Sequence, residues 1–477
     1  MKKFLLAFFI LFSTVKIYGQ QFSQYNTGTL YDSFENPAQN SFIPDTSRKY
    51  AFNLFVPNFS ANVYLNGNAQ VALKDRLFNS KYLTDNLVIG PGRLNRINSN
   101  FNAYFILYKG LVNIDGNSEM GFSIQSKAEV RGVFSDESLA LFNGFTNFPE
   151  NSYDNLFNNV VNVQSYHQIS LIYRENLSKT AAIGIKLSAL LGVQYQKLDI
   201  NQSHITFDKA ADEATLSLQG QYKINHIAGG ISKQDILPSF RNPGASISIG
   251  TKFNLDKGYI IQANLKDLGF IKWNSSSNVY NFNSSDVIKD ISTRKREDNI
   301  FGSTYRIIHS GGKTTSFTSP TNAKFEVSAN KTFWFDYENQ IKYSPTIVAS
   351  KDLLYDSYTA ALVNPIQYHD YVFTLTAAYN NYKIMSIGTQ LMIKATDVEF
   401  FVGSDRIFQS ISLATFNRDD PKYINSRPSY TGADFFLGFS IKFGPVLEHP
   451  LNSSSMPTSQ RKSFFQRFIQ RLKKSED

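Results

Sequence analysis

The region from Ala181 to Gln196 alternates apolar and polar side chains along the chain. Its odd-numbered positions, from Ala181 to Tyr195, are all apolar or aromatic, whereas most even-numbered positions are small or polar. Successive side chains of a β-strand point to opposite faces of the sheet. The alternation therefore predicts a strand with one apolar face and one polar face.

The same alternation recurs along most of the chain. The clearest segments are Ala214–Lys223, Ala245–Phe253, Tyr259–Lys266, Lys324–Asn330, Tyr371–Tyr379, Met385–Lys394 and Asp434–Phe443, with further candidates near Tyr50–Phe59, Phe101–Lys109, Met120–Val130, Gln168–Arg174 and Ile341–Ala349. Many of them approach the roughly 9–11 residues that a tilted strand needs to cross a bilayer. Tyr and Phe stand at the ends of their apolar faces, where membrane interfaces favour aromatic side chains.

These strands predict an all-β fold that closes in a membrane. A sheet in lipid has to close, because an open edge would leave backbone groups without hydrogen bonds. The segments number between about thirteen and sixteen, and bacterial single-chain barrels use an even number, so we expect a closed antiparallel transmembrane β-barrel of about 14 strands over residues 49–444. The alternative is a soluble, secreted all-β protein, which would have to explain why so many long strands share an apolar face.

The connections between the strands are unequal in length. Short polar turns are expected at 256–258 and at 380–381, and long connections near 132–165, 226–244, 268–323 and 404–432. Outer-membrane barrels have short periplasmic turns and longer outer loops. The alternation of long and short connections is not regular in the sequence, and the region 268–323, rich in Ser, Asn and Thr, is expected to be a solvated loop.

The N-terminus has the features of a secretory signal peptide over residues 1–19. Lys2 and Lys3 precede a short apolar stretch, Phe4–Phe12, which is too short to span a bilayer as a helix. Polar residues follow Gly19, where we expect cleavage. The chain contains no Cys, so the product is not a lipoprotein and has no disulfide or Cys-ligated metal. We expect the mature protein in the bacterial outer membrane.

The net charge lies mainly at the two ends of the chain. The 48 basic and 39 acidic residues give +9, of which residues 1–19 supply +3 and the chain after 450 supplies +4. The body is nearly neutral, which argues against nucleic-acid binding. No His pair has metal-ligand spacing, and Ser310–Lys313 lacks the first Gly of a phosphate-binding loop. We therefore expect no enzyme activity, no catalytic residue, no metal and no cofactor.

The C-terminus predicts a linker and an amphipathic helix. Residues 445–459 are rich in Pro, Ser and Asn, which favours a flexible linker. Residues 460–477 carry apolar side chains at helical spacing between basic ones, and the residues expected to dock a partner or lipid are Phe464, Phe465, Phe468, Ile469, Leu472, Arg467 and Arg471. Such a helix can lie on an anionic membrane surface, dock to another outer-membrane or periplasmic protein, or remain a disordered tail.

Several short motifs resemble one class of outer-membrane barrels. The signal peptide, then Asn36-Pro37-Ala38 in an aromatic N-terminal segment, then only β-strands look like FadL-like barrels, a class that includes PorV-type proteins of Bacteroidota type IX secretion. More narrowly, the segments 267–274 and 400–405 and the closing strand 434–444 resemble an uncharacterised Bacteroidota barrel family. The resemblance implies that residues 20–48 fold into the barrel as a hatch, with Asn36, Pro37 and Ala38 at the plug. Alternatively, Asn-Pro begins an ordinary turn.

Three functions fit these features. The main hypothesis is a non-catalytic barrel that serves as an accessory or subunit of an outer-membrane secretion or assembly machine, which rests on the resemblance and on the C-terminal helix. The alternative is an outer-membrane channel for small solutes, hydrophobic ones included, which rests on the FadL-like layout and the polar inner faces. A lesser possibility is a structural or adhesive surface protein that acts through its long loops.

Overall fold

The structure, a computed structural model, describes residues 22–42, 48–80, 82, 84–112, 116–225, 236–335, 340–414 and 430–446. Its strands are β1 (Arg48–Phe52), β2 (Asn58–Asn66), β3 (Leu94–Leu111), β4 (Ser118–Ser135), β5 (Ser152–Asp154), β6 (Val160–Asn176), β7 (Ala181–Asp208), β8 (Glu213–Ile224), β9 (Pro243–Asn254), β10 (Tyr259–Trp273), β11 (Asn278–Lys289), β12 (Gly312–Thr314), β13 (Phe317–Pro320), β14 (Lys324–Lys331), β15 (Phe333–Trp334), β16 (Ile341–Tyr343), β17 (Thr346–Asp352), β18 (Tyr358–Tyr368), β19 (Tyr371–Asn380), β20 (Met385–Lys394), β21 (Val398–Ser404) and β22 (Tyr430–Val446).

The helices are short and lie in the connections. They are α1 (Leu30–Glu35), α2 (Ala69–Asn79), α3 (Asp136–Ala140), α4 (Arg296–Ile308) and α5 (Ile407–Ala414), with 3-10 turns at Phe22–Gln24, Leu141–Asn143, Phe145–Asn147 and Asp256–Gly258. Within the described part of the chain, none of them has the length and apolar character that crossing a membrane would require.

Fourteen positions around the ring form a closed antiparallel barrel. In order they are β1 with β2, β3, β4, β6, the first part of β7, β9, β10, β13 with β14, β16 with β17, β18, β19, β20, β21 and β22. The ring closes because β22 pairs with both β1 and β2, for example Phe436 with Ser60. The expected closed barrel of about 14 strands is confirmed.

The barrel wall is apolar outside and polar inside. On β19, Thr374 and Thr376 point inward and are buried, whereas Phe373, Leu375 and Tyr379 point outward and are exposed. The hydrophobic effect would disfavour so continuous an apolar outer surface in water, whereas a bilayer accepts it. The outer face of the ring is therefore the lipid-facing surface, and the inner faces line the lumen.

The two ends of the barrel differ in their connections. The short-turn end carries the connections 112–117, 177–180, 255–258, 332–340, 369–370 and 395–397. The long-loop end carries 67–93, 136–159, 209–242 (which includes β8), 274–316 and 405–429, together with two short links at 353–357 and 381–384. The alternation that looks irregular in the sequence is therefore regular in space, and the turn at 380–381 belongs to the long-loop end.

The long loops build a small folded unit, which we call the outer cap. The second part of β7 pairs with β8, β8 pairs with β11, and α4 packs on this sheet. Apolar side chains from three separate loops and from the sheet form its core: Ala72, Leu139, Phe148, Leu216, Phe282, Ile288, Ile300 and Ile307. Both carboxylate oxygens of Glu297 accept a hydrogen bond of 2.8 Å from Arg76, which joins α4 to α2.

The outer cap corrects two expectations from the sequence. The alternating segment Ala214–Lys223 lies in β8, whose apolar face is buried in the cap core, so it is not one of the fourteen barrel strands. The region 268–323 is not a solvated loop, because it contains the end of β10, then β11 and α4. A period of two identifies a strand but does not say whether its apolar face meets lipid or protein.

Candidate functional site: the lumen and its N-terminal segment

The described N-terminal residues, Phe22–Phe42, lie inside the barrel, and we call them the lumen segment. Phe22 lies beside Asp405, just after β21 at the long-loop end. Ser41 lies beside Glu119, near the start of β4 at the short-turn end. Between these points the segment contacts inward-facing side chains of strands on opposite sides of the ring, for example Gln262 and Gln390. It therefore occupies the lumen over most of the barrel height.

The start of the lumen segment is held by a carboxylate and an apolar pocket. The Phe22 N–H and the Ser23 hydroxyl each donate a 2.6 Å hydrogen bond to Asp405. The Ser23 hydroxyl also lies 2.9 Å from the Thr376 hydroxyl. The Phe22 ring fills an apolar patch of the inner wall that is formed by Val348, Ala361, Val363 and Ala378. Burial of the ring and the charge-assisted hydrogen bonds together fix this end of the segment.

Glu35, at the end of α1, joins the lumen segment to two sides of the barrel. On one side its carboxylate accepts hydrogen bonds from the Tyr104 hydroxyl at 2.8 Å and the Asn102 amide at 3.1 Å, both on β3. On the other side the Lys266 ammonium of β10 lies 3.0 Å away. Lys266 also pairs with Glu326 at 3.1 Å. Glu35 is therefore the centre of a polar network that crosses the lumen.

Asn36, Pro37 and Ala38 approach the barrel wall closely. A Cβ atom at Gly184 would overlap the Pro37 carbonyl, and one at Gly250 would overlap the Asn36 side chain. The two glycines therefore leave the space that the segment occupies. Asn36 also organises a local turn, because its side-chain oxygen accepts a hydrogen bond from the Ala38 N–H at 3.1 Å. The motif therefore forms a turn in the lumen, and its role in a plug stays a prediction.

Basic side chains of the wall bind carbonyl groups of the lumen segment. Lys109 donates to the Gln39 carbonyl and Lys186 to the Phe34 carbonyl, each at 3.3 Å. Arg174 donates to the Ala38 carbonyl at 2.9 Å, and Lys394 to the Thr27 carbonyl. Backbone carbonyls inside a lumen need hydrogen-bond donors. The basic inner wall supplies these donors from several strands at once.

Two acidic residues of the lumen segment have opposite titration behaviour. Burial raises the pKa of Asp32 to about 6, against the hydrogen bond that its carboxylate accepts from the Gly28 N–H. Burial also acts to raise the pKa of Glu35, but the ammonium groups of Lys266, Lys127 and Lys186 outweigh it and lower that pKa to about 2. Glu35 is therefore ionised near neutral pH, whereas Asp32 changes charge under mildly acidic conditions.

A cavity of about 150 Å³ lies between the lumen segment and the wall. Charged groups line it in ion pairs, among them Lys127 with Asp267 and Lys266 with Glu326 at 3.1 Å. Gln24, Asn100 and Asn322 add amide groups to the lining. Tyr25, Tyr31, Phe101 and Tyr166 add aromatic surface, so the cavity has room for water or a small molecule among charged, amide and aromatic groups. Among the described residues, no group of three or more His, Asp or Glu side chains is arranged to hold a metal ion.

Several residues predicted from the sequence fall outside the described residues. The signal peptide, most of the linker and the docking residues of the C-terminal helix, from Phe464 to Leu472, belong to this part. Conversely, Glu35 and its partners are not among the residues predicted from the sequence. The sequence does contain a signal for them, because charged residues such as Lys186 and Lys266 stand on the polar faces of strands. Charges that face a filled barrel interior need charged partners there, whereas charges that face a lumen holding only water do not.

The family comparison places the chain in a family without an assigned function. The family described as "Family of unknown function (DUF5723)" matches residues 42–405. The chain belongs to this family. The match agrees with the expected resemblance to an uncharacterised barrel family, and the link to Bacteroidota stays a prediction. No curated protein matches the DUF5723 chain.

Solved structures that resemble the DUF5723 chain include FadL-type barrels. A FadL homologue of Pseudomonas aeruginosa gives a TM-score of 0.40 and 9% identity over 88% of this chain and 95% of that one. The TodX monoaromatic hydrocarbon channel of Pseudomonas putida, as a deltaS2S3 mutant, gives 0.42 and 10% over 90% and 97%. The CymD monoaromatic hydrocarbon channel gives 0.34 and 8% over 90% and 95%. FadL-like barrels are also the class that the sequence motifs resemble. The fold of this chain is established by its own strand pairing.

Proposed function

We propose that this protein is a non-catalytic outer-membrane channel for small solutes whose lumen is closed by its own N-terminal segment. One observation carries the proposal: a closed lipid-facing barrel holds the separate segment Phe22–Phe42 inside its lumen, through groups that can also bind water. A barrel that served only as a membrane anchor would have no need of a segment held in this way. In this proposal the segment acts as the hatch that the sequence resemblance implied.

The polar contacts of the lumen segment suit reversible docking. They include hydrogen bonds and ion pairs to wall side chains, such as those of Glu35 with Tyr104 and Lys266. Such interactions are exchanged for water at a net cost of about 0.5–3 kcal/mol each. The apolar contacts are those of Phe22 and of a buried cluster with the wall, to which the segment supplies Leu30, Tyr31, Phe34 and Phe42. Partial release of the segment would join the cavity to both ends of the barrel.

The cavity lining favours small polar solutes. Two of the similar solved structures are described as monoaromatic hydrocarbon channels. In this chain the cavity is lined by ion pairs, including Lys127 with Asp267 and Lys266 with Glu326, whose desolvation by a hydrocarbon would be unfavourable. The proposed solute is therefore a small hydrophilic molecule that forms hydrogen bonds to charged groups.

The channel is a better-supported function than the accessory-subunit hypothesis. That hypothesis rests on the resemblance and on the C-terminal helix, which lies outside the described residues, and the similar solved structures give it no support. Docking of Phe464, Phe468 and neighbouring residues to a partner or to lipid stays a prediction.

The proposal is tested by removing the lumen segment. Full-length protein and a variant that lacks residues 22–42 are purified from outer membranes in detergent, reconstituted in liposomes and compared by liposome swelling in small sugars and amino acids. We expect rapid swelling for the deletion variant and slow swelling for the full-length protein. A heat-modifiable band on a gel confirms that both barrels are folded. A folded deletion variant that is as tight as the full-length protein would contradict the proposal.

A further inference from the structure

The barrel wall is interrupted where β21 ends. β21 has seven residues, Val398–Ser404, and its last pair with β22 is Gly403 with Phe436. β22 continues for six more residues to Tyr430, paired on its other side with β2. With a rise of about 3.3 Å per residue and a tilt near 40°, seven residues cover about 18 Å of the roughly 25 Å apolar band of a barrel. The wall therefore needs another element above β21.

Helix α5 occupies the place that β21 leaves. After β21 the chain passes close to the first part of β20, where an added Cβ at Gly388 would overlap Asp405. α5 then packs beside β22, and the Ser410 hydroxyl lies against the backbone of Asp434. That hydroxyl donates to the Asp434 carbonyl at 3.1 Å and accepts from the Asp434 N–H at 2.9 Å. Unpaired backbone groups are costly in lipid, and Ser410 satisfies both groups of one residue on the free edge of β22.

The outer side of α5 is apolar. Phe408, Ile411 and Leu413 are 62%, 52% and 41% exposed, which is unusual for large apolar side chains on a short helix in water. Close by, Met385 at the start of β20 also exposes its side chain to the outside. The exposed surface of α5 thus continues the apolar belt of the neighbouring strands.

We propose that α5 is a helical section of the membrane-facing wall and that Phe408, Ile411 and Leu413 contact lipid acyl chains of the outer leaflet. The leaflet follows from the long-loop end, which faces outward in outer-membrane barrels. The inference rests on the membrane placement in the proposed function. It adds that a short helix replaces β-structure in one part of this wall.

Site-directed spin labelling of the full chain tests the inference. The chain has no native Cys, so single substitutions carry one label each. Phe408→Cys and Ile411→Cys are labelled in phosphatidylcholine vesicles, and accessibility to oxygen is compared with accessibility to a water-soluble nickel complex. Leu391→Cys, on the exposed face of β20, is the lipid-facing control. Val287→Cys, on β11 of the outer cap, is the water-facing control.

We expect the ratio of oxygen to nickel accessibility at positions 408 and 411 to equal that at 391 and to exceed that at 287. A ratio at 408 and 411 equal to that at 287, with a high ratio at 391, would overturn the inference and leave the membrane placement intact. A low ratio at all four positions would overturn the membrane placement itself. In a second measurement, Phe408→Lys should lower the unfolding midpoint of the reconstituted barrel as Leu391→Lys does, whereas Val287→Lys should leave it unchanged.

Discussion

The substitution Glu35→Gln tests whether the polar network of the lumen segment keeps the channel closed. Glutamine has nearly the same size as glutamate and still accepts hydrogen bonds from Tyr104 and Asn102 through its carbonyl oxygen. Its amide group, however, places a second donor against the Lys266 ammonium. The substitution thus removes one charge and one ion pair while it leaves the packing of α1 unchanged.

The size of the effect follows from the titration of Glu35. The surrounding ammonium groups lower its pKa from 4.5 to about 2, so near neutral pH the charged form favours the docked segment by about 3 kcal/mol. Because the pKa of Glu35 is lower in the docked state, this stabilisation of the docked segment is present above pH 4.5 and is lost as the pH falls toward 2. Loss of about 3 kcal/mol raises the undocked fraction about a hundredfold.

The assay is liposome swelling at pH 7 with a small neutral sugar. We expect the Glu35→Gln channel to swell faster than the wild type and to approach the rate of the variant that lacks residues 22–42. Glu213→Gln is the matched control, because Glu213 pairs with Lys289 at 3.6 Å on the exposed surface of the outer cap, away from the lumen. We expect wild-type swelling for this control.

Two outcomes would refute this reasoning about Glu35. The first is a folded Glu35→Gln barrel that swells at the wild-type rate, because the ion pair would then contribute nothing to closure. The second is an equal acceleration by Glu213→Gln, because the effect would then reflect a general loss of barrel stability. In either case the deletion of residues 22–42 still tests the channel by itself.

Three further predictions concern the lumen segment and the wall. Phe22→Ala empties the apolar pocket at a cost of about 3–5 kcal/mol and should accelerate swelling, whereas an unchanged rate would mean that the pocket does not anchor the segment. Burial raises the pKa of Asp32 to about 6, so its protonated form favours docking at low pH and docking weakens as the pH rises through 6. Wild-type swelling should therefore be faster at pH 7 than at pH 5. Swelling rates of Asp32→Asn at both pH values should show a smaller difference. Leu391→Arg should destabilise the inserted barrel by about 2–4 kcal/mol in urea unfolding, and no change would argue that this face does not meet lipid.

The alternation of side chains determined the strands of this protein because it is a local property. Tyr371–Asn380 and Met385–Lys394 form strands where the sequence places them, with their apolar faces outward. The number of such segments, and the need to close a sheet in lipid, predicted a barrel of about 14 strands. No long-range contact has to be known for either inference.

Tertiary structure alone decided where several local patterns act. The alternation at 214–223 looks like that of a membrane strand, but β8 packs its apolar face against α4 and loops distant in sequence. The hydrophobic effect is non-directional, so an apolar face accepts lipid or protein equally, and only the surrounding fold determines which it meets.

The closed lumen also depended on tertiary structure. Glu35 meets Tyr104 and Lys266, which lie 69 and 231 residues away along the chain. A single sequence shows that these residues are polar, but it does not show that barrel closure brings their strands to opposite sides of α1. The sequence therefore determined a membrane barrel with a polar interior, whereas the pairing of charges across that interior, and with it the closure of the lumen, was fixed only when the ring of strands closed.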